Sequence, residues 1–130
     1  MKHDLKTRED VHFLVSKFYQ NVRDDEEIGY FFNNRITNWE EHINKLTDFW
    51  ESNLFFISTY TGNPKKAHID VDEANNHTIE NRHFGIWLNH WFKTIDTYFE
   101  GDMAERAKHN ARKMSTHIYL QIFQNRISTS

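Results

Sequence analysis

Apolar residues recur at three- and four-residue steps along several stretches of the chain, the spacing of one face of an α-helix. The first stretch follows Thr7, which is predicted to cap a helix with Asp10 at the third helical position. Tyr19 lies on the edge of the apolar stripe, and the helix is predicted to fray near residues 23–25. The stripe itself consists of Val11, Leu14, Val15, Phe18 and Val22.

A short apolar patch at residues 28–32 is too short for an independent helix, and it predicts a one-turn element that turns aromatic side chains inward. The pair Asn33-Asn34 is predicted to end it. Asn38 then begins a second long helix, with Glu41 at the position of a capping-box partner. One face of this helix carries His42, Leu46, Phe49 and Trp50.

The second long helix is predicted to run to Gly62, with a deeply packed end at residues 55–57. Pro64 cannot continue that helix, but its fixed φ suits the first position of a new one. His68 lies one helical turn after Pro64, so the sharp corner presents an imidazole from a short helix. The polar residues 69–76 are predicted to form a loop.

A third long helix is predicted from about Thr78 to the stop signal at Gly101. Its broad apolar face consists of Phe84, Trp87, Leu88, Trp91, Phe92, Ile95 and Phe99. Asp102 is predicted to cap a last helix, with Glu105 at the capping-box position. Its inward stripe is predicted to comprise Met103, Ala107, Ala111, Met114 and Ile118, with Phe123 as a candidate extension. The pattern therefore predicts an all-α chain with a single domain over residues 1–130.

Aromatic residues make up 15% of a chain whose mean hydropathy is −0.83, so a few large rings must provide most of the apolar surface. Such rings either fill an ordinary helical core or line a pocket for a flat apolar ligand. The net charge of −3 gives no basic surface for nucleic acid. No apolar run approaches the roughly 18 residues of a membrane span, and the first residues are polar. A soluble cytoplasmic protein without a membrane partner is expected.

The chain has no cysteine, which excludes disulfides, zinc–thiolate sites and covalent haem attachment through a C-x-x-C-H motif. His42 and His68 fall on different predicted helices with an aromatic face between them. A flat iron macrocycle needs an axial imidazole on one side and a controlled space on the other. His68 is the better axial ligand because its short helix follows a rigid corner, and His42 suits the opposite side. An exposed His68 and a His42 packed at a helix interface are the alternatives.

Further residues fit either a haem pocket or ordinary packing. Tyr19 and Trp87 carry donor groups that could reach a bound ligand, or they could be core residues with ordinary partners. Lys45 lies near the rim of the His42 face, where it could pair with haem propionates or remain solvated. The pocket walls would be Phe32, Leu46, Phe49 and Trp50, which equally suit a plain core.

A di-iron site is a weaker reading of the sequence. Glu80 and His83 have the Glu-x-x-His spacing of di-iron carboxylate bundles. Such a site requires two of these motifs and two further glutamates, whereas the sequence contains one motif.

Taken together and in order, the motifs resemble those of the truncated haemoglobins, and of group III specifically. The resemblance covers about residues 8–122. It is carried by Phe18-Tyr19, Phe31-Phe32-Asn33-Asn34, Trp39-Glu40-Glu41-His42, Phe49-Trp50, Tyr60-x-Gly62-x-Pro64-x-x-x-His68 and Phe84-x-x-Trp87-Leu88.

The resemblance implies a two-over-two helical sandwich with haem b between the helix pairs. It implies that His68 is the iron ligand, and that Tyr19, His42 and Trp87 are the polar residues on the ligand side. Phe32 would pack on the haem and Leu46 would face the bound ligand.

The implied function is reversible binding of O₂, and of NO and CO. The same pocket could detoxify NO or peroxide as a dioxygenase- or peroxidase-like enzyme, which would require a reductase partner. A haem-free helical interaction module, with the aromatic residues as its core, is the alternative from another class.

Overall fold

The computed structural model of the chain describes residues 2–56 and 80–129, with the side chains of residues 126–129 excepted. Five helices lie within these ranges: α1 (Arg8–Asp24), α2 (Gly29–Asn33), α3 (Trp39–Phe55), α4 (Asn81–Tyr98) and α5 (Asp102–Thr129). Gly62, Pro64, His68, the loop at 69–76 and the predicted start at Thr78 lie outside the described residues.

The helices pack as two pairs, and one helix of each pair joins the pairs together. The most extensive packing is between α1 and α3 and between α4 and α5, and α1 also packs along α4. Phe18 on α1 and Trp91 on α4 meet edge to face at this junction, with 5.0 Å between their ring centroids. The all-α prediction is confirmed, and the pairing is that of a two-over-two sandwich.

Three predicted helix boundaries on the first half of the chain are confirmed. Thr7 caps α1 through a capping box, in which its side chain accepts from the Asp10 N–H and the Asp10 side chain accepts from the Thr7 N–H. The Asn38 side chain caps α3 by accepting a hydrogen bond from the Glu41 N–H at 3.1 Å. The short element is helix α2, which ends at Asn33 as predicted.

The predicted end of the second long helix is wrong. α3 ends at Phe55, well before Gly62, because Phe56 takes a left-handed backbone conformation with φ 59°. The expected deep packing of this end is also wrong, since Phe56 is 82% exposed. Phe55 is half-buried, and Ile57 lies outside the described residues.

The predicted cap of the last helix is wrong as well. Asp102 is the first residue of α5, and the carboxylate that caps the helix comes from Asp4. Asp4 Oδ2 accepts from the Met103 N–H at 2.9 Å and Asp4 Oδ1 from the Ala104 N–H at 2.8 Å. Gly101 has φ +135°, and a Cβ there would lie 2.5 Å from Asp4 Cγ, so a glycine is needed for this approach.

The inward face of α5 is largely as predicted. Ala107, Ala111 and Ile118 are buried, and Met103 and Met114 are half-buried. The candidate extension at Phe123 is wrong, because this ring is 48% exposed and Ile122 is buried instead. Within the described residues, no helix has the length and apolar character to cross a membrane.

Candidate ligand site

Tyr19 lies at the centre of an aromatic cluster where α1, α2 and α3 meet. Its side chain is 6% exposed, because the edge of the α1 stripe faces into the bundle rather than outward. The ring centroid of Tyr19 is 5.7 Å from Phe32, 5.6 Å from Trp39 and 5.4 Å from His42. The Phe32 and His42 rings meet it edge to face, the favourable geometry for aromatic quadrupoles.

The hydroxyl of Tyr19 is hydrogen-bonded to Trp87 of α4. Because an indole N–H can only donate, the tyrosine oxygen accepts this bond and its own proton is not used in it. Burial raises the pKa of the Tyr19 hydroxyl well above its ordinary value, although the Trp87 hydrogen bond opposes that shift. Tyr19 is therefore a neutral hydrogen-bond donor at any physiological pH.

His42 lies in the first turns of α3 and is half-buried. Tyr19 meets it on one side, and the Trp39 ring centroid is 5.5 Å away at an interplanar angle of 86°. Leu46 follows one helical turn later on the same face and is also half-buried. The first two turns of α3 thus place an imidazole and an aliphatic side chain side by side next to the tyrosine.

The remaining predicted site residues on α3 have different environments. Trp50 is 3% exposed and stacks on Trp91 with 4.6 Å between ring centroids, which makes it a core residue between α3 and α4. Phe49 is half-buried and packs edge to face on Trp50 at 5.3 Å. Lys45 is exposed.

The structure therefore brings four of the predicted residues, Tyr19, Phe32, His42 and Trp87, into one cluster. Leu46 and Phe49 lie further along α3, the helix that carries His42. Trp50 lies in the core and Lys45 lies on the surface. The predicted iron ligand, His68, falls outside the described residues.

Trp39 is a cluster member to which sequence reasoning gave no role. It contacts both Tyr19 and His42, and the guanidinium of Arg23 lies 4.2 Å from its ring centroid. The signal was present in the spacing, because residues 39 and 42 are three apart on one helix and share a face. Phe18 was predicted only as a stripe residue, yet its ring also packs on Trp87 at 5.2 Å.

The Glu-x-x-His motif serves to start a helix. His83 Nδ1 accepts from the Glu80 N–H at 2.8 Å, and the His83 N–H donates to the Glu80 backbone carbonyl at 2.9 Å, so the pair forms the first turn of α4. Across residues 2–56 and 80–129, no three histidine or carboxylate side chains come together as a metal site.

Comparison with known proteins finds a similar chain in sequence and in structure. The chain is 28% identical over 128 residues to a group 3 truncated haemoglobin of Campylobacter jejuni, and the match spans 95% of this chain and 97% of that protein. The crystal structure of the group III truncated haemoglobin from Campylobacter jejuni superimposes with a TM-score of 0.83, covering 94% of this chain and 95% of that one at 28% identity. No protein-family model matches the chain.

The chain is similar to a group III truncated haemoglobin, in sequence and in fold. The resemblance read from the sequence motifs is thereby confirmed, and so is the predicted truncated-globin sandwich. In the frame of this truncated-globin fold, the Tyr19 cluster occupies the angle between the α1–α3 pair and α4.

Proposed function

We propose that the chain binds haem b and uses it to bind O₂, NO and CO reversibly, with His68 as the iron ligand. The observation that carries the proposal is the buried Tyr19 hydroxyl, hydrogen-bonded to Trp87 and enclosed by aromatic rings. A buried donor surrounded by apolar rings is suited to a small, weakly polar ligand. The similarity to a truncated haemoglobin indicates haem as the cofactor.

The residues next to Tyr19 fit a flat apolar cofactor. Phe32, Leu46, Phe49 and Trp87 are each half-buried and packed against the core, so they retain apolar surface that a porphyrin could cover. Removing such surface from water is favourable by about 25 cal/mol per Å². Lys45 is exposed on the same helix, where its ammonium could pair with a propionate.

A bound haem would supply the iron that coordinates diatomic gases, and His68 would hold that iron. The residues around the iron would then determine how tightly a gas binds. Tyr19 keeps its proton at Oη and donates it toward the ligand side, and Trp87 fixes the direction of the phenol. Phe32 and Trp39 keep water away from that hydroxyl, so its hydrogen bond acts in a medium of low polarity.

Detoxification of NO or peroxide is a finer proposal on the same site. A neutral donor beside a polar ligand would favour polarisation of an O–O or N–O bond, and His42 lies close enough to Tyr19 to share that role. Turnover would draw electrons from a reductase partner. The haem-free helical module is not favoured, because the chain matches a truncated haemoglobin over nearly its whole length in sequence and in fold.

The proposal is tested by adding hemin to the purified protein and recording the visible spectrum. A Soret band that shifts when the reduced protein meets CO is the expected result. His68→Ala is expected to lose the haem or hold it loosely, whereas His109→Ala, which removes an exposed histidine of α5, should not. A protein that refuses hemin would overturn the proposal, and normal haem binding by His68→Ala would overturn the assignment of the ligand.

A further inference from the structure

A depression of about 690 Å³ opens on the surface where α1 ends and α3 begins. Its wall includes Gln20, Arg23, Asn33 and Trp39. Trp39 also packs against Tyr19 and His42, with ring centroids 5.6 and 5.5 Å apart. One half-buried indole therefore separates an outer depression from the two polar residues of the ligand side.

The indole of Trp39 is held in this position by neighbouring side chains of α1 and α2. The Arg23 guanidinium lies 4.2 Å from the Trp39 ring centroid, a cation–π contact. Asn33 fixes Arg23 in turn: Arg23 Nε donates to Asn33 Oδ1 at 3.2 Å, and Asn33 Nδ2 donates to the Arg23 carbonyl at 3.1 Å. Three elements thus converge on one ring.

We propose that Trp39 is a gate through which small neutral ligands pass from the depression to Tyr19, held closed by Arg23 and Asn33. The inference rests on the proposed gas-binding function. Arg23 and Asn33 are exposed, so water competes for both side chains and the contacts that hold the gate are weak. A weakly held ring at a surface depression opens often, and its movement uncovers Tyr19 and His42 without moving a helix.

A gate differs from a ligand-stabilising residue in its kinetic signature. Loosening a gate speeds ligand passage in both directions by the same factor and leaves the equilibrium affinity unchanged. Removing a hydrogen bond to the ligand changes the affinity instead. The two roles are therefore separable by measuring both rates.

The first test measures CO rebinding to the reduced, haem-loaded protein after flash photolysis, together with CO release. Arg23→Met is expected to raise both rate constants about two- to fivefold, which is the size of an exposed cation–π contact expressed as an equilibrium. Trp39→Ala should raise them further. The two rate constants for n-butyl isocyanide, which needs a wider opening than CO, should rise by a larger factor in either variant.

Arg112→Met is the matched control, because Arg112 makes a similar contact with Phe92, 5.0 Å from the ring centroid, between α5 and α4. This control should leave both rate constants unchanged. Should Trp39→Ala fail to fold, Arg23→Met and Asn33→Ala still decide the matter.

A second readout does not depend on gas binding. Exchange of the Trp39 indole N–H with water, followed by NMR on labelled protein, should accelerate in Arg23→Met by about the same two- to fivefold factor. Normal CO binding with unchanged rates and unchanged exchange in Arg23→Met would overturn the gate alone. Absence of any CO spectrum in the unmodified protein would overturn the proposed function instead.

Discussion

Tyr19 combines a polar hydroxyl with nearly complete burial. Trp87 makes the combination stable, because its N–H satisfies the tyrosine oxygen while leaving the tyrosine proton to be donated. A donor in such surroundings is not weakened by competing water. At the scale of a single residue, the affinity for a bound gas should therefore depend on the hydroxyl proton of Tyr19.

Tyr19→Phe should raise the O₂ release rate by roughly one to two decades, because a charge-assisted hydrogen bond contributes about 1.5–3 kcal/mol. CO release should change far less, since bound CO accumulates little charge. Stopped-flow measurement of both gases checks this, and Tyr30→Phe, on an exposed ring, is the control. Equal changes for O₂ and CO would contradict the hydrogen-bond argument.

The sequence could place Tyr19 and Trp87 on inward faces, because periodicity reports which side of a helix is buried. It could not show that their side chains meet, since the two helices are brought together only by the packing of α1 along α4. Tyr19 and Trp87 were predicted to be hydrogen-bond donors from their residue types alone. The spacing of Trp39 and His42 showed that they share a helix face. It could not show that this face packs on Tyr19, because that contact depends on how α3 lies against α1.

At the scale of the helix, the successful predictions rest on local signals. Thr7 and Asn38 cap helices that begin one residue later, so the sequence contains both partners of each cap. Phe56 ends α3 in a left-handed conformation that is unfavourable for a residue with a side chain, so no propensity announces it. The cap of α5 comes from Asp4, far away in sequence, and Asp102 was the nearest local candidate.

Asp4→Ala should destabilise the protein by about 1–2 kcal/mol, because two N–H groups of the first turn of α5 lose a charged acceptor. Urea unfolding measures the change. Asp102→Ala, which removes an exposed carboxylate from the same turn, is the control and should cost clearly less. A larger loss of stability in Asp102→Ala than in Asp4→Ala would show that Asp102 caps α5.

The start of α4 depends on an unprotonated histidine. His83 Nδ1 accepts the Glu80 N–H, and burial first and Arg82 second lower the pKa of His83. The folded protein therefore prefers neutral His83, and this contribution is present above the ordinary histidine pKa and lost as pH falls below it. Nearby Glu80 and Glu27 oppose the shift.

His83→Gln should flatten the loss of unfolding free energy between pH 7 and pH 5, since glutamine can accept the same hydrogen bond without titrating. His117→Gln, the same substitution at an exposed position of α5, is the control. Urea unfolding at both pH values decides between them. An unchanged slope in His83→Gln would show that His83 does not titrate in this range.

At the scale of the whole molecule, Trp91 is the residue on which four helices meet. It stacks on Trp50 of α3, meets Phe18 of α1 and donates its indole N–H to the Ala107 carbonyl of α5 at 3.1 Å. Trp91 therefore lies buried at the centre of the two-over-two arrangement.

Trp91→Phe should cost about 1–3 kcal/mol, from lost volume in a packed interior and one lost hydrogen bond. The control Phe123→Leu changes an exposed ring and should stay within about 0.5 kcal/mol. Urea unfolding of the haem-free protein gives both values. A negligible loss in Trp91→Phe would show that the helix pairs do not depend on this ring.

The carboxylate of Asp4 reaches across the molecule to a backbone N–H 100 residues later. During translation at roughly 5–20 residues per second, about 5–20 s separate the emergence of these two groups. The Asp4 carboxylate therefore has no partner during that interval. The helix α5 consequently receives its cap only after residue 104 has been synthesised.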